Sequence, residues 1–159
     1  MSNFVIYVHL EPFIRQWLLH AFPEPVTFPP QSVANATIRH FVSRQPADKP
    51  VPLREDGDVA ISIPDSKYKP PRLYNYLTVY GHAALKEHIN DLFNIDLWTN
   101  LSDVATQNLH VMNSIYQYCS DHGIDIDYAN TIRQRFYRMR KSYERHGIRL
   151  EKKTKKKGG

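Results

Sequence analysis

The stretch that decides the C-terminal half of the fold is Asp127–His146, which reads DYANTIRQRFYRMRKSYERH. Its apolar side chains Ile132, Phe136, Met139 and Tyr143 follow one another at intervals of four, three and four. On a helix of ~100° per residue these positions fall within roughly 40° of one another. The spacing therefore predicts an amphipathic helix over residues 128–146 that buries one narrow stripe.

The opposite side of this predicted helix is mostly cationic. It carries Gln134, Tyr137, Arg138, Lys141 and Arg145, while Arg133, Arg135 and Arg140 flank the apolar stripe. This helix has none of the i,i+4 Glu–Lys pairs that keep many surface helices near neutral. A face of one sign favours a polyanionic partner, and an ordinary solvated helix face is the alternative. Asp127 or Asn130 is expected to cap the start of the helix, and Gly147 to follow its end.

Positive charge is concentrated at the C-terminal end of the chain. Residues 1–130 carry 9 Lys/Arg and 14 Asp/Glu, a balance of −5, and residues 131–159 carry 12 and 2, a balance of +10. The two balances add to the net charge of +5. Such concentration predicts contact with a polyanion through phosphate neutralisation and counterion release.

Length and composition bound the class of protein. A chain of 159 residues fits one domain with at most a small appended module, and its 42% of hydrophobic residues can form a core. Its 12% of aromatic residues is too high for a disordered chain. The single cysteine, Cys119, excludes an intrachain disulfide framework and fits a reducing compartment. The sequence shows neither a signal-peptide pattern nor a membrane-length apolar run. The expectation is a cytoplasmic protein without a membrane span.

The N-terminal region, residues 1–65, predicts a small β-ribbon or sheet with helices. Residues 3–10 are β-branched and aromatic, which predicts a strand covered on both faces. Residues 58–64 alternate between Ile or Val and smaller side chains, which predicts a second strand with one buried face, paired with the first. Two strands alone would be marginal, so a further partner is expected from a loop or another subunit. Helices are expected over residues 13–22 and 32–44, the second capped by Ser32.

The rest of the chain is predicted to be helical. Residues 66–81 are interpreted as a linker with an aromatic cluster, because the run DSKYKPPR at residues 65–72 is basic and Pro-rich and Tyr74, Tyr76 and Tyr80 follow it. Helices are expected over residues 82–93, 95–101 and 104–122, within a helical nucleic-acid-binding region at 82–148. Residues 149–159 form a low-complexity basic tail that is expected to be disordered. The predicted fold class is α+β.

Two helices joined at Gly123 have the order of a helix-turn-helix motif. In that interpretation Ile124 and Ile126 pack inward, and the helix 128–146 docks in a major groove. The side chains placed to contact base edges are Asn130, Gln134, Tyr137 and Arg138. Those placed to neutralise phosphates are Arg133, Arg135, Arg140, Lys141 and Arg145, with Lys152, Lys153, Lys155, Lys156 and Lys157 adding non-specific attraction. A merely solubilising tail is the alternative for the last five lysines.

Catalytic signals are weak. The eight histidines lack metal-ligand spacing, and the chain has no Gly-rich phosphate loop. Cys119 lies on an apolar helix side and is expected to be a small buried hydrophobe. A tyrosine nucleophile at Tyr74, Tyr76 or Tyr137 would need a surrounding Arg and His cluster that a sequence alone does not reveal. We therefore expect a protein that is not an enzyme and uses no cofactor or metal.

The residues Tyr74–Leu77, Trp98 and Arg135–Lys141 resemble those of small uncharacterised DNA-binding proteins of bacterial phages and mobile elements, over most of the chain. This resemblance implies a mobile-element context and contact with DNA in preference to RNA. The leading hypothesis is a regulator or accessory factor of such an element, with self-association or a protein partner at the N-terminal region. Two alternatives stay open: a structural or interaction protein whose basic C-terminus contacts RNA or an acidic protein, and a DNA-processing enzyme with an undetected site.

Overall fold

The computed structural model describes residues 4–106 and 111–146, with the backbone only for residues 103–106. Its elements are β1 (Val5–His9), α1 (Pro12–Ala21), α2 (Val33–Phe41), β2 (Val42–Ser43), β3 (Asp58–Ser62), β4 (Tyr76–Leu77), α3 (Val79–Thr106), α4 (Val111–Asp121), a 3-10 turn (Ile126–Tyr128) and α5 (Ala129–Arg145). The predicted α+β class, with short antiparallel strands near the N-terminus and helices after them, is confirmed.

The chain divides into two compact units, residues 1–92 and residues 93–159, with the boundary inside α3. This division differs from the expected regions 1–65, 66–81 and 82–148. The segment 66–81, interpreted from sequence as a linker, belongs to the first unit and contains β4. In the described ranges, no helix combines the length and the apolar character needed to cross a bilayer.

Strands β1 and β3 pair antiparallel, as predicted, with Ile6 opposite Ile61 and Val8 opposite Val59. The prediction of which strand is covered on both faces was wrong. Burial in β1 alternates, whereas Ala60 and Ser62 in β3 are buried along with their apolar neighbours. Strand β3 is also the inner strand, with a partner on each of its edges.

The second partner of β3 comes from the Pro-rich segment after α1. The Val26 N–H donates to the Ala60 carbonyl at 2.8 Å, and the Val26 carbonyl accepts from the Ser62 N–H at 2.8 Å. Thr27 then donates to the Ser62 hydroxyl at 3.3 Å, so the segment runs along the second edge of β3. The expectation that a loop would complete the ribbon is confirmed, and it satisfies backbone groups that would otherwise be buried unpaired.

Asn35 ties α2 to this Pro-rich segment. Its side chain is buried, and its Nδ2 donates to the carbonyls of Phe28 and Pro29, both at 3.0 Å. The Asn35 N–H donates to Ser32 Oγ at 3.2 Å, so the predicted cap at Ser32 is confirmed. Buried polar atoms require partners, and here one amide supplies two carbonyls with donors.

Helix α2 ends at Phe41, three residues before the predicted end at Arg44. Val42 turns to the extended conformation, with φ −71° and ψ 143°, and pairs with Leu77 of β4. Pairing with a distant strand therefore outweighs the helical apolar spacing, and the β-branched side chain of Val42 suits a strand.

Lys69 holds the segment 66–81 against the end of α2. Its Nζ donates to the carbonyls of Arg39, His40 and Val42 at 3.1, 3.0 and 3.2 Å. The last carbonyls of a helix lack partners within the helix, and a cation at that end also complements the helix dipole. Lys69, which the sequence analysis placed in a linker, thus binds the end of α2.

The predicted helices 82–93 and 95–101 are one helix, α3, which begins at Val79 and continues to Thr106. Residues 82–106 contain neither Pro nor Gly, so nothing in the sequence forces a break at Asn94. The predicted helix 104–122 is found as α4 over Val111–Asp121. Its first residues belong to α3, and residues 107–110 lie outside the described ranges.

The Glu24 carboxylate accepts a hydrogen bond from the Ala60 N–H of β3, which Val26 does not pair. Its Oε2 accepts from the Ala60 N–H at 2.8 Å and from Arg54 Nη2 at 2.7 Å. The bond from the Ala60 N–H is the main cause that holds the pKa of Glu24 below its ordinary value of 4.5. Burial opposes this lowering of the pKa, and Arg54 adds to it.

We expect Asn35→Ala to lower the free energy of unfolding of the first unit by about 1–3 kcal/mol, because the buried carbonyl of Phe28 loses its donor. Exchange of the Ser62 amide hydrogen, which is bonded to the Val26 carbonyl, measures this loss in the full chain. The control is Thr37→Ala in the same helix, whose hydroxyl bonds only the exposed Val33 carbonyl. Equal losses in both variants would contradict a special role for Asn35.

The lowered pKa of Glu24 predicts a pH-dependent contribution to stability. A carboxylate whose pKa is lower in the folded state stabilises the fold above the unfolded pKa, and that contribution is lost as the pH falls through the folded pKa. Wild type is therefore expected to exceed Glu24→Gln in stability at neutral pH. The difference should shrink as the pH falls below the ordinary value of 4.5.

Urea unfolding followed by circular dichroism from neutral to acidic pH measures that difference. The control is Glu55→Gln in the neighbouring turn, whose side chain is exposed. It is expected to change the free energy of unfolding by no more than about 0.5 kcal/mol. A difference between wild type and Glu24→Gln that stays constant down to strongly acidic pH would contradict the proposed role of the carboxylate.

Candidate nucleic-acid interface

The end of α4 is built by Gly123. Its φ is +68°, a left-handed conformation that glycine adopts without steric cost. The Ile124 N–H donates back to the Cys119 carbonyl at 2.9 Å, which is the Schellman arrangement. Ile124 and Cys119 are both buried, as expected for the hydrophobic contact of this motif. The predicted positions of Gly123, Ile124 and Cys119 are confirmed.

The entry into α5 differs from the prediction. Asp125 accepts from the Asp127 N–H at 2.9 Å and so caps the 3-10 turn Ile126–Tyr128, which runs directly into α5. No side chain caps α5 itself, so the predicted caps Asp127 and Asn130 are wrong. Ile126 was expected to pack inward, but the tight turn leaves it 58% exposed.

The connection between α4 and α5 comprises the seven residues 122–128. A helix-turn-helix motif joins its helices by a turn of about 3–4 residues. The predicted order of a helix, a glycine and a cationic helix is therefore found, but with a longer connection that contains a 3-10 turn. The protein therefore shares with a helix-turn-helix motif only the order of these elements along the chain.

The predicted apolar stripe of α5 is buried. Ile132 and Phe136 are fully buried and Ala129 almost so, while Met139 and Tyr143 are half-buried. Trp98 of α3 contacts this apolar stripe, and the centroid of its ring lies 5.4 Å from that of Phe136 and 4.8 Å from that of Tyr143. Aromatic contacts of this kind add to the stabilisation from burial. The rotation of α5 about its axis is thereby fixed.

A polar cluster joins α3 and α4 in the second unit. The Tyr118 hydroxyl donates to Asp96 Oδ2 at 2.6 Å, and His122 Nε2 lies 3.4 Å from the same oxygen. The Tyr118 and His122 rings stack with centroids 4.1 Å apart. Sequence analysis missed this cluster, because Asp96 is more than 20 positions from both partners. Tyr118 is only 3% exposed, so the cluster holds two helices together and does not offer an open nucleophile.

The outer face of α5 carries the exposed side chains of the predicted interface. They are Asn130, Gln134, Tyr137, Arg138, Lys141 and Arg145. The helix holds six Lys/Arg and a single carboxylate, Glu144. Among the residues that the structure describes, no carboxylate forms an ion pair with Arg138, Lys141 or Arg145. From Gln134 to Arg145 the face extends ~16 Å along the helix at 1.5 Å per residue.

Arg135 was predicted to neutralise phosphate, but the structure engages it inside the second unit. Its Nη1 donates to Asn94 Oδ1 at 3.1 Å, and its guanidinium carbon lies 5.7 Å from the centre of the Phe93 ring. The side chain is half-buried. A cation near an aromatic face gains electrostatic stabilisation there. We therefore remove Arg135 from the candidate interface.

Two other pairs of predicted residues contact each other. Arg133 donates to Asn130 Oδ1 from Nη2 at 2.6 Å and from Nε at 3.1 Å. The Arg140 guanidinium carbon lies 5.1 Å from the centre of the Tyr137 ring. All four sit at the surface or are half-buried, so these are local pairs that a ligand can rearrange. Asn130 must release Arg133 before its oxygen contacts a base.

Several predicted features lie outside the described residues. They are the glycine expected after α5, Gly147, and the tail lysines Lys152, Lys153, Lys155, Lys156 and Lys157. Within residues 4–102 and 111–146, no group of three or more His, Cys, Asp or Glu side chains is placed to hold a metal ion.

We expect Phe136→Ala to lower the free energy of unfolding of the second unit by about 3–5 kcal/mol, because it leaves a cavity against Trp98. The matched control is the adjacent Tyr137→Ala on the exposed face, for which we expect a change of no more than about 1 kcal/mol. Urea unfolding in a Trp17→Phe chain measures both, since Trp98 is then the single tryptophan and belongs to the second unit. Equal effects of the two variants would contradict the assigned orientation of α5.

Comparison of the chain with models of protein families, with curated proteins and with solved structures finds no match. The assignment of a function therefore depends on the geometry described above.

Proposed function

We propose that the protein is a non-enzymatic DNA-binding protein that docks α5 in a major groove. One observation supports this proposal most directly. Arg138, Lys141 and Arg145 form an exposed stripe without carboxylate partners in the described ranges, on a helix whose opposite side buries Ile132 and Phe136. A surface of one sign on a rigid helix is an electrostatic footprint for phosphates.

The dimensions of α5 suit a DNA groove. An α-helix with its side chains is about 10–12 Å across, and the major groove of B-DNA is about 12 Å wide. The major groove of A-form RNA is deep and narrow and excludes such a helix. This difference favours duplex DNA over duplex RNA as the partner.

The structure changes the roles assigned within the interface. Gln134, Tyr137 and Arg138 are free of strong internal polar bonds in the described ranges and are proposed to contact base edges. Lys141 and Arg145 are proposed to contact phosphates, with Arg140 and Arg133 joining after local rearrangement. Asn130 contributes only if its side chain releases the hydrogen bonds from Arg133 and bonds a base instead.

The biological setting of the proposal comes from the resemblance to proteins of bacterial phages and mobile elements. Within it, a regulator or accessory factor is the role that needs only a DNA-binding surface. A basic tail of five lysines after α5 would add non-specific attraction that weakens with salt. We propose a cytoplasmic location on the same grounds, because the target is DNA.

The test compares wild type with Arg138→Gln/Lys141→Gln in binding of random duplex DNA. Each phosphate contact contributes about −0.9 to the slope of log K against log salt, and the double variant removes one proposed phosphate contact, at Lys141, so the slope is expected to fall by about 0.9. Fluorescence anisotropy between about 50 and 200 mM salt measures the slope. The matched control is Lys49→Gln/Lys86→Gln, which removes the same charge from exposed positions in the first unit.

The control is expected to leave the slope unchanged. Equal slopes for the two double variants would show that net charge, and not α5, determines binding. Tighter binding to an acidic polypeptide than to duplex DNA at physiological salt would favour the interaction-protein alternative instead. Nicking of the DNA in the presence of magnesium would favour the DNA-processing enzyme.

A further inference from the structure

We propose that the first unit carries a second nucleic-acid surface, which binds a single strand. This surface, here called the β2–β4 patch, lies around the small sheet β2–β4. Its members are Arg39, Arg44, Lys67, Tyr68, Arg72 and Tyr74. It is formed by residues of the first unit alone and does not depend on the function proposed for α5.

Tertiary structure assembles the β2–β4 patch from two distant segments, residues 39–47 and 66–78. Lys69 bonds three carbonyls at the end of α2, which brings its neighbours Lys67 and Tyr68 to that end. Pairing of β2 with β4 joins the same two segments, with Ser43 opposite Tyr76. The arrangement is thus fixed by hydrogen bonds that do not occupy the other cations.

The two segments contain five Lys/Arg and no Asp or Glu. Arg44, Lys67 and Arg72 are exposed, and Arg39 is half-buried. Across the described residues, none of these four cations forms an ion pair with a carboxylate. The first unit as a whole is balanced, with 9 Lys/Arg and 9 Asp/Glu over residues 1–92. The patch is therefore a local concentration of positive charge on a neutral unit, which favours an anionic partner.

Two aromatic side chains distinguish the patch from a plain phosphate site. Tyr68, between Lys67 and Lys69, is 85% exposed. The guanidinium carbon of Arg44 lies 5.3 Å from the centre of the half-buried Tyr74 ring, so cation and ring already form a stacked pair. Aromatic rings and guanidinium planes stack on the faces of nucleic-acid bases.

Base faces are available to such rings only in an unpaired strand, because a duplex buries them between neighbouring pairs. Cations that track the backbone together with aromatic stacking are the two components of sites for single strands. A large exposed aromatic ring between two lysines gains little in water, whereas it gains a stacking partner on an unpaired base. This chemistry points to a single-stranded nucleic acid and not to a duplex or a protein.

The test measures binding of the full chain to a deoxyuridine oligonucleotide and to a uridine oligonucleotide, which differ only in the 2′-OH, by fluorescence anisotropy. Tyr68→Ala is expected to weaken binding to the single strand at least about fivefold, as for the loss of one stacked base. Tyr68→Phe, which keeps the ring, and Tyr80→Ala, which removes another highly exposed tyrosine of the same unit, should each stay within about twofold of wild type. Lys67→Gln/Arg72→Gln should flatten the salt dependence, and Lys49→Gln/Lys86→Gln should not.

Binding of random duplex DNA is measured with the same variants. Tyr68→Ala should leave duplex affinity within about twofold, since stacking requires unpaired bases. The proposal is overturned if no single strand binds, if Tyr68→Ala and Tyr80→Ala have equal effects, or if Tyr68→Ala weakens single-strand and duplex binding alike. Failure of Arg138→Gln/Lys141→Gln to alter duplex binding would reject the role of α5 and leave this result unaffected. A preference for one of the two oligonucleotides identifies the strand as DNA or RNA.

Discussion

The contact of Phe136 with Trp98 is the constraint on which the arrangement of the second unit depends. Because α5 repeats every 3.6 residues, its apolar stripe and its row of cations lie on opposite sides. Burial of Phe136 therefore determines which side chains face solvent. The exposed position of Arg138 and Lys141 is a consequence of apolar packing, and no polar contact is needed to hold them outward.

The first unit depends on a different constraint, which is the need to pair the backbone of its inner strand. Its named strands are short, and two-stranded ribbons are marginal in water. Strand β3 is supported on one edge by β1 and on the other by Val26 and the Glu24 carboxylate. Asn35 and Lys69 then attach the irregular segments to α2 through backbone carbonyls. Side-chain donors and acceptors thus replace the longer strands that the unit lacks.

Electrostatics separates the cations of the chain into those held internally and those available to a partner. Arg135 bonds Asn94 and lies over Phe93, and Lys69 bonds three carbonyls, so both contribute to folding. Arg138, Lys141 and Lys67 are exposed and lack ion pairs in the described ranges. Counting charges along a sequence treats all five alike. The proposed interface on α5 therefore includes fewer residues than the number of its cations suggests, because Arg135 is held internally.

The sequence alone determined the features that depend on local periodicity and local conformation. The burial of Ile132 and Phe136, the turn at Gly123, the cap at Ser32 and the pairing of residues 58–64 with the first strand all follow from spacing or residue type. Tertiary structure decided the features that depend on competition between distant partners. Val42 lies outside α2 and pairs with Leu77, Ile126 is exposed, and Asp96 contacts Tyr118 and His122. Local patterns report the preference of a segment for one conformation, whereas a contact between distant residues forms only when the whole chain brings them together.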